Sequence, residues 1–452
     1  MVGGPFAFMQ PSWARPRTRR IEDIVVVPLT HGSYADDMAW GSGLLKMRGG
    51  LRARAVVPSS SDVTWILAVG VLGTPSIALA QAGGHEVNAL TVTPRVGVVY
   101  DSNVFQLNET RFSGDRSDTI VSPAIGVSFD RTIGRNNLSV TADLGYEFHR
   151  RFKSLDQADV SVSGRGSLGV TALCAVSPSG TWTVQQNNPG TGAVKNSQAA
   201  QNYSATLSCQ RPFGLFPSIT ASYQSTTNSQ ELLSLFDQHT ASVSGGIGYA
   251  LPAVGTLLIS VGTTSIRQPN RRSVDGAADG SDVFNLGASF DRAVAPRLSF
   301  SVGARYLSVD PLRATTQDYV GAGYNASVNY HPSPRVSLVA SASRDVSGTG
   351  DVAVSYVLAS NYGLTGTVNL SQLTSFNLAA QRFHRTYRGE NPIFFPVARG
   401  SESGASLTGS LSHTLAHRVQ LSAFATYTNL DARSDYYDYK RFQMGLSAGA
   451  RF

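Results

Sequence analysis

The chain has 452 residues, of which 42% are hydrophobic, 9% aromatic and only 15% charged, with 44 glycines and 20 prolines. Soluble domains carry about 25% charge, whereas disorder would require far fewer apolar residues. Long Ala/Leu/Glu/Lys helical patterns are missing and no run of 18 apolar residues follows the N-terminal region, which excludes a helical cytosolic enzyme and a bundle of membrane helices. The formal charge of +7 comes from 37 basic and 30 acidic residues, and lysine occurs only at Lys46, Lys153, Lys195 and Lys440. The arginines are scattered singly along strand-like segments, not clustered, so a nucleic-acid surface is not indicated. A soluble all-β protein and a membrane β-barrel remain.

Residues 1–46 show neither strand alternation nor helical period and are read as an N-terminal extension outside the fold, with Met47 as the natural start. Residues 65–80 (WILAVGVLGTPSIALA) form an apolar run preceded by Arg48, Arg52 and Arg54 and followed by Ala78-Leu79-Ala80 and Ala80-Gln81-Ala82. That order of basic, apolar and small residues predicts a cleavable signal peptide over 47–82, cut after Ala82 or Ala80. The run is too short and too broken by Gly and Pro to serve well as a retained anchor. Export leads to an oxidising compartment. There Cys174 and Cys209 are compatible with a disulfide and with two thiols held apart by strand geometry.

From Leu90 onward the hydrophobic period is two. Leu138, Val140, Ala142, Leu144, Tyr146 and Phe148 alternate with Ser139, Thr141, Asp143, Gly145 and Glu147. Similarly, Leu298, Phe300, Val302, Ala304 and Tyr306 alternate with Ser299, Ser301, Gly303 and Arg305. Aromatics gather at strand ends (Tyr100, Phe129, Tyr249, Phe290, Tyr330, Tyr427), as in the girdles of a barrel at the two membrane interfaces. Cross-strand packing in a secreted sandwich is the competing explanation.

Short turns (131–137, 251–255, 291–297, 332–335, 371–375, 415–418) alternate with longer polar connections (101–118, 187–201, 226–237, 268–281, 388–403, 429–439). The pattern predicts one domain over 83–452, a transmembrane antiparallel up-and-down outer-membrane β-barrel of about eighteen strands, closed because lipid tolerates no open edge. Both termini then lie on the periplasmic side. The last segment alternates Phe442, Met444, Leu446, Ala448, Ala450 and Phe452 with Arg441, Gln443, Gly445, Ser447, Gly449 and Arg451. Ending on Phe452, it is similar to the C-terminal strand signal read by the barrel assembly machinery.

Tyr100-Asp101-Ser102-Asn103-Val104-Phe105, followed by Ser117-Asp118-Thr119-Ile120-Val121 and Pro123, resembles the opening of the "putative β-barrel porin 2" family over roughly residues 85–452. The resemblance implies an outer-membrane barrel of a Gram-negative bacterium, with a role linked to exopolysaccharide. Read from the residues alone, the same motif is a strand end: Tyr100 in the girdle, then Asp and Asn favouring a turn.

No HExxH, CxxC, GxSxG, P-loop or dinucleotide fingerprint occurs. No catalytic residue, metal or cofactor is therefore expected. His413 and His417 flank a turn, and Asp431, Asp435 and Asp438 do not match a calcium loop. The lumen is the remaining place for function. By parity Arg95, Arg165, Arg305, Arg441 and Arg451 point inward, with Asp130, Asp143, Glu147 and Asp291. Such arginines suit carboxylate or phosphate groups, or else pair with the inward acids and brace the wall. Gly321, Gly323, Gly445 and Gly449 on the same face are expected to leave room inside.

Three function classes follow. The first is a non-catalytic porin passing hydrophilic or anionic solutes, or assisting export of an anionic exopolysaccharide. The second is a structural barrel of an export complex, plugged by a loop such as 268–281 or 388–403. The third is a barrel hydrolase, which needs a Ser/His/Asp cluster at the rim. The expected partners are outer-membrane lipid and lipopolysaccharide, the assembly machinery and an anionic exopolysaccharide or its export proteins. The sequence carries no signal for an oligomeric state.

Overall fold

The computed structural model describes residues 87–108, 114–186, 195–209, 211–272, 276, 278–313, 315–349, 354–390, 398–415 and 418–452. The extension, the export signal and His417 lie outside the described residues.

Eighteen strands run in chain order. They are β1 (Val87–Asp101), β2 (Asp118–Ile133), β3 (Asn136–His149), β4 (Gln157–Gly169), β5 (Cys174–Gln186), β6 (Ser197–Cys209), β7 (Gly214–Asn228), β8 (Gln238–Leu251) and β9 (Gly255–Arg272). They continue with β10 (Ala278–Ala295), β11 (Leu298–Pro311), β12 (Tyr319–Ser333), β13 (Val336–Ser347), β14 (Tyr356–Asn369), β15 (Thr374–Arg388), β16 (Ser401–Leu415), β17 (Val419–Ala432) and β18 (Tyr439–Ala450). Each pairs antiparallel with the next, and β18 returns to β1 from Arg95↔Gly449 to Asp101↔Gln443. The sheet is a closed barrel.

Burial is inverted relative to a soluble protein. Leu446 is 68% exposed and Ile247 62%, while Asp101 and Asp279 are 0% exposed. Of the expected girdle residues, Tyr100, Tyr249, Tyr330 and Tyr427 lie on this exposed apolar face, as do Tyr146, Phe148 and Tyr306. From Phe442 to Phe452, a tilted strand rises about 25 Å, the height of the apolar band of an outer-membrane barrel. A secreted sandwich would bury these side chains between two sheets, and no second sheet is formed by the described residues.

Connections differ sharply between the two ends. At the end holding the chain terminus they are short: two residues join β2 to β3, where Gly134 has φ +58°, a left-handed conformation that glycine adopts without strain. At the opposite, outer end they are longer and carry the short 3₁₀ turns Lys153–Leu155, Glu231–Phe236 and Asp435–Tyr437. The expected 268–281 loop is mostly strand, because β9 and β10 are each 18 residues long and stay paired to Arg272 and Ala278. The outer end of this hairpin carries Arg271, Asp279 and Ser281, whose contacts with Arg313 and Ser355 are described below.

Cys174 opens β5 and Cys209 closes β6, directly across from each other with Cα atoms 3.9 Å apart, and the two are disulfide-bonded. Strand register brings them together, since both lie at the terminus-side end of one hairpin.

Candidate functional site

The seam of the barrel is where the family-like motif sits. The Asp101 carboxylate accepts hydrogen bonds from Arg441 Nε at 2.9 Å, from Gln443 Nε2 at 3.0 Å and from the Asn103 amide at 2.9 Å. Asn103 Nδ2 donates to the carbonyls of Leu107 and Lys440 at 2.9 and 3.1 Å. Asp118, at the start of β2, accepts from the amides of Arg151 and Phe152 and bonds His149 Nδ1 at 3.1 Å. Val104, Phe105 and Leu107 pack with Leu155 between these two anchors, flanked by Ile120 and Phe152. The motif therefore clasps the first strand to the last and folds the first outer loop onto the third strand's end. Arg441 belongs to this clasp and does not stand free in the lumen.

The other predicted lumen residues take several positions. Arg95 Nη1 lies 3.0 Å from Asp143 Oδ1, with both side chains nearly half exposed. Arg305 Nη1 reaches Asp345 Oδ2 at 2.9 Å, spanning β12 over Gly323. A Cβ on Gly323 would sit 2.8 Å from Arg305 Cγ, so that glycine is required by the close approach. The small inward residues do not simply leave space. Gly323 seats Arg305, Gly321 lies against the Tyr319 hydroxyl, Gly445 lies against Phe424 and Gly449 faces Arg95. Glu147 accepts from Gln157 Nε2 at 3.4 Å. Arg165 faces Ser139 across the pair and has no carboxylate partner among the described residues. Arg451 lies past the end of β18, where its amide bonds the Arg418 carbonyl at 2.8 Å. Beside it Phe452 exchanges backbone hydrogen bonds with Val92 of β1 at 2.9 and 3.1 Å.

Sequence parity missed the most buried charges. Asp279 Oδ2 is 2.7 Å from Arg271 Nη2 and 2.6 Å from Arg313 Nη2, while Ser355 Oγ donates to Asp279 Oδ1 at 2.8 Å. Ser281 Oγ donates to the Ser355 carbonyl at 3.2 Å, Gln268 Nε2 donates to the Val354 carbonyl, and Arg271 Nη2 donates to the Gly389 carbonyl at 2.8 Å. Burial pushes the Arg271 guanidinium down to about 10, with Asp279 opposing that shift, so it stays charged at neutral pH. Below the charges, Ile266, Val283, Val309 and Tyr356 form an apolar cluster.

These contacts join elements far apart around the wall. An eighteen-stranded barrel tilted by about 40° has a radius of about 18 Å, so strands four apart face each other across about 23 Å. Direct hydrogen bonds from β10 to Ser355, the residue preceding β14, thus require the outer ends to lean across the mouth. Val354 and Ser355 are the inward end of the β13–β14 connection, and Gly348 at its other end lies against Gln238 of β8. At the outer mouth Val354 and Ser355 thus meet Gln268, Asp279 and Ser281 of the 268–281 segment, and Arg271 reaches Gly389 of the 388–403 segment. For Val354 and Ser355 the sequence signal was slight: a Gly-containing segment after Val346, too short to stand out among longer loops. A second buried pair, Arg385 and Arg399 on Glu402 at 3.1 Å each, stiffens the neighbouring rim.

A hydrolase would need a serine, a histidine and a carboxylate in relay at the rim. His384 Nδ1 is 2.9 Å from Ser403 Oγ on the outward face, and Asp431 pairs with Ser403 from β17. The carboxylate is thus across the serine from the histidine and cannot orient the imidazole as a relay requires. Asp438 accepts the Ala432 amide at 2.7 Å, whereas Asp431 stands on the outward face, so the acidic loop does not converge on an ion. Among the described residues no group of three or more metal-ligating side chains occurs.

OccK2 (OpdF) of Pseudomonas aeruginosa, solved in complex with glucuronate, is similar to this chain at 11% identity and a TM-score of 0.43, covering 81% of this chain and 98% of its own. OpdK of Pseudomonas aeruginosa, solved with vanillate, is similar at 6% identity and TM-score 0.44, covering 80% and 99%. OccAB3 of Acinetobacter baumannii is similar at 9% identity and TM-score 0.42, covering 81% and 99%. No curated protein matches the chain. The family described as "Putative beta-barrel porin 2" matches residues 80–452, over strands that close as a barrel and include the Asp101 clasp, and the chain belongs to that family.

Proposed function

We propose that the protein is a non-catalytic, porin-type barrel of the Gram-negative outer membrane that passes hydrophilic solutes through a lumen narrowed at its outer mouth. The observation that carries this reading is the polar, partly solvated inner wall of a closed eighteen-stranded barrel, a size that leaves an aqueous channel. Inward arginines stand beside carboxylates: Arg95 by Asp143 and Arg305 by Asp345. Pairs of this kind brace the wall and present both signs along the path. They suit polyhydroxyl solutes and leave weak ionic preference, while Arg165 offers a guanidinium for an anionic sugar. Assistance to export of an acidic exopolysaccharide is a finer version of the same reading.

A structural barrel of little conductance is the second reading, favoured by the buried Arg271–Asp279–Arg313 cluster across the mouth. Single-channel recording of the refolded mature chain in a planar bilayer, with and without an acidic polysaccharide, separates the two. Discrete steps with weak ion selectivity support passage, and block by the polymer supports the finer version. Silence from a folded barrel moves the assignment to the structural role.

A further inference from the structure

The outward face of β12–β16 carries cations where the barrel meets the outer leaflet. Register sets Tyr324, Arg344, Ser360, His384 and Ser403 in one cross-strand row, with Tyr362 opposite Arg382 one pair below. All share the parity of exposed Val328, Leu338, Leu364, Leu378 and Leu407, so they face lipid. The Tyr324 and Tyr362 hydroxyls are 2.9 Å apart and mark the girdle level, the depth of headgroup phosphates.

Elsewhere on the outward face the protein neutralises its own charge: Arg267 Nη2 on β9 is 2.8 Å from Asp282 Oδ1 on β10. Arg344 and Arg382 have no carboxylate partner among the described residues, and Arg344 Nε is shielded without a hydrogen-bond partner. The carboxylate this row does hold, Asp431, lies beyond Ser403, two strands from His384 and four from Arg344. Two permanent charges whose Cα atoms are about 12 Å apart by strand and residue spacing can converge on one anionic headgroup through their long side chains. An exposed cation facing lipid is costly unless an anion meets it.

We propose that Arg344 and Arg382 bind the phosphorylated headgroup of an outer-leaflet glycolipid, with His384 and Ser403 as hydrogen-bonding neighbours. The proposal rests on the outer-membrane reading above and assigns the lipid-borne phosphate, not free phosphate, as the occupant.

The test compares refolded wild type with R344Q/R382Q for binding of lipopolysaccharide, dephosphorylated lipopolysaccharide and inorganic phosphate, read by native mass spectrometry and thermal shift. Wild type should hold phosphorylated lipopolysaccharide at least tenfold more tightly than the variant does. It should hold it at least tenfold more tightly than the dephosphorylated lipid, with inorganic phosphate a poor competitor. Equal binding by the variant, or equal binding of the dephosphorylated lipid, overturns the proposal. So does full competition by inorganic phosphate, which would mark a free-anion site. Bilayer insertion of the same samples separates the two claims. A variant that inserts like wild type yet keeps its lipid defeats the lipid site alone, whereas failure of wild type to insert defeats the barrel reading.

Discussion

Asp101 and Asp279 are both fully buried carboxylates held by arginine, yet they act on different parts of the molecule. Asp101 joins the first strand to the last through Arg441 and Gln443. Removing one partner of a buried pair leaves the other charge unmet, typically at about 3–5 kcal/mol. Arg441→Ala should therefore lower the unfolding free energy read from urea titration of the vesicle-inserted barrel by that order, and an unchanged value would mean the clasp is incidental. Asp279 instead ties strand ends across the mouth. Asp279→Asn leaves Arg271 and Arg313 facing each other without the carboxylate, which should loosen the β13–β14 connection. The expected result is a higher conductance or longer open dwell times. Identical single-channel records would show that this connection does not limit passage.

Among the elements, β18 and the β5–β6 hairpin make the clearest claims. β18 presents Phe442, Met444 and Leu446 to lipid, and Phe452 beyond its end exchanges two backbone hydrogen bonds with Val92. Deleting Phe452 removes those bonds and the terminal aromatic together. Assembled, heat-modifiable barrel should fall severalfold in yield, and normal assembly would detach the last strand from any targeting role. The Cys174–Cys209 disulfide spans 35 residues, which constrains the unfolded chain by up to about 4 kcal/mol in the loop-entropy picture. Cys174→Ser with Cys209→Ser should lower the urea midpoint while leaving conductance unchanged, because the bond lies at the opposite end from the mouth. A shift in conductance would show that the two ends of the barrel are coupled.

For the whole molecule, closure places one face of every strand in lipid and the other around the lumen. That division explains why unpaired arginines carry different meanings in different places. Arg165 lies on the inner face and Arg344 on the outer face, so under the readings above the first would meet solutes and the second headgroups. It also explains the long β9–β10 hairpin, whose outer end rises above the band and packs its charges against loops from strands far around the wall.

The period-two alternation from Leu90 to Phe452 determined most of the architecture by itself. Side-chain parity is a local property, so it could be read without knowing any partner. The orientation of Arg95, Asp143, Arg305 and Glu147 came from that parity, and the strand number came from the turns that punctuate it. Register was less legible. The disulfide between Cys174 and Cys209 depended on which residues face each other across a hairpin, and sequence spacing left that open. Contacts between distant strands were not legible at all. The clasp of Asp101 by Arg441 spans 340 residues, and Ser355 meets Asp279 from 76 residues away. Those pairings exist only because closing the sheet brings β18 to β1 and strands far apart in sequence meet at the outer ends, so the tertiary structure alone decided which arginines brace the wall, which reach across the mouth and which face outward.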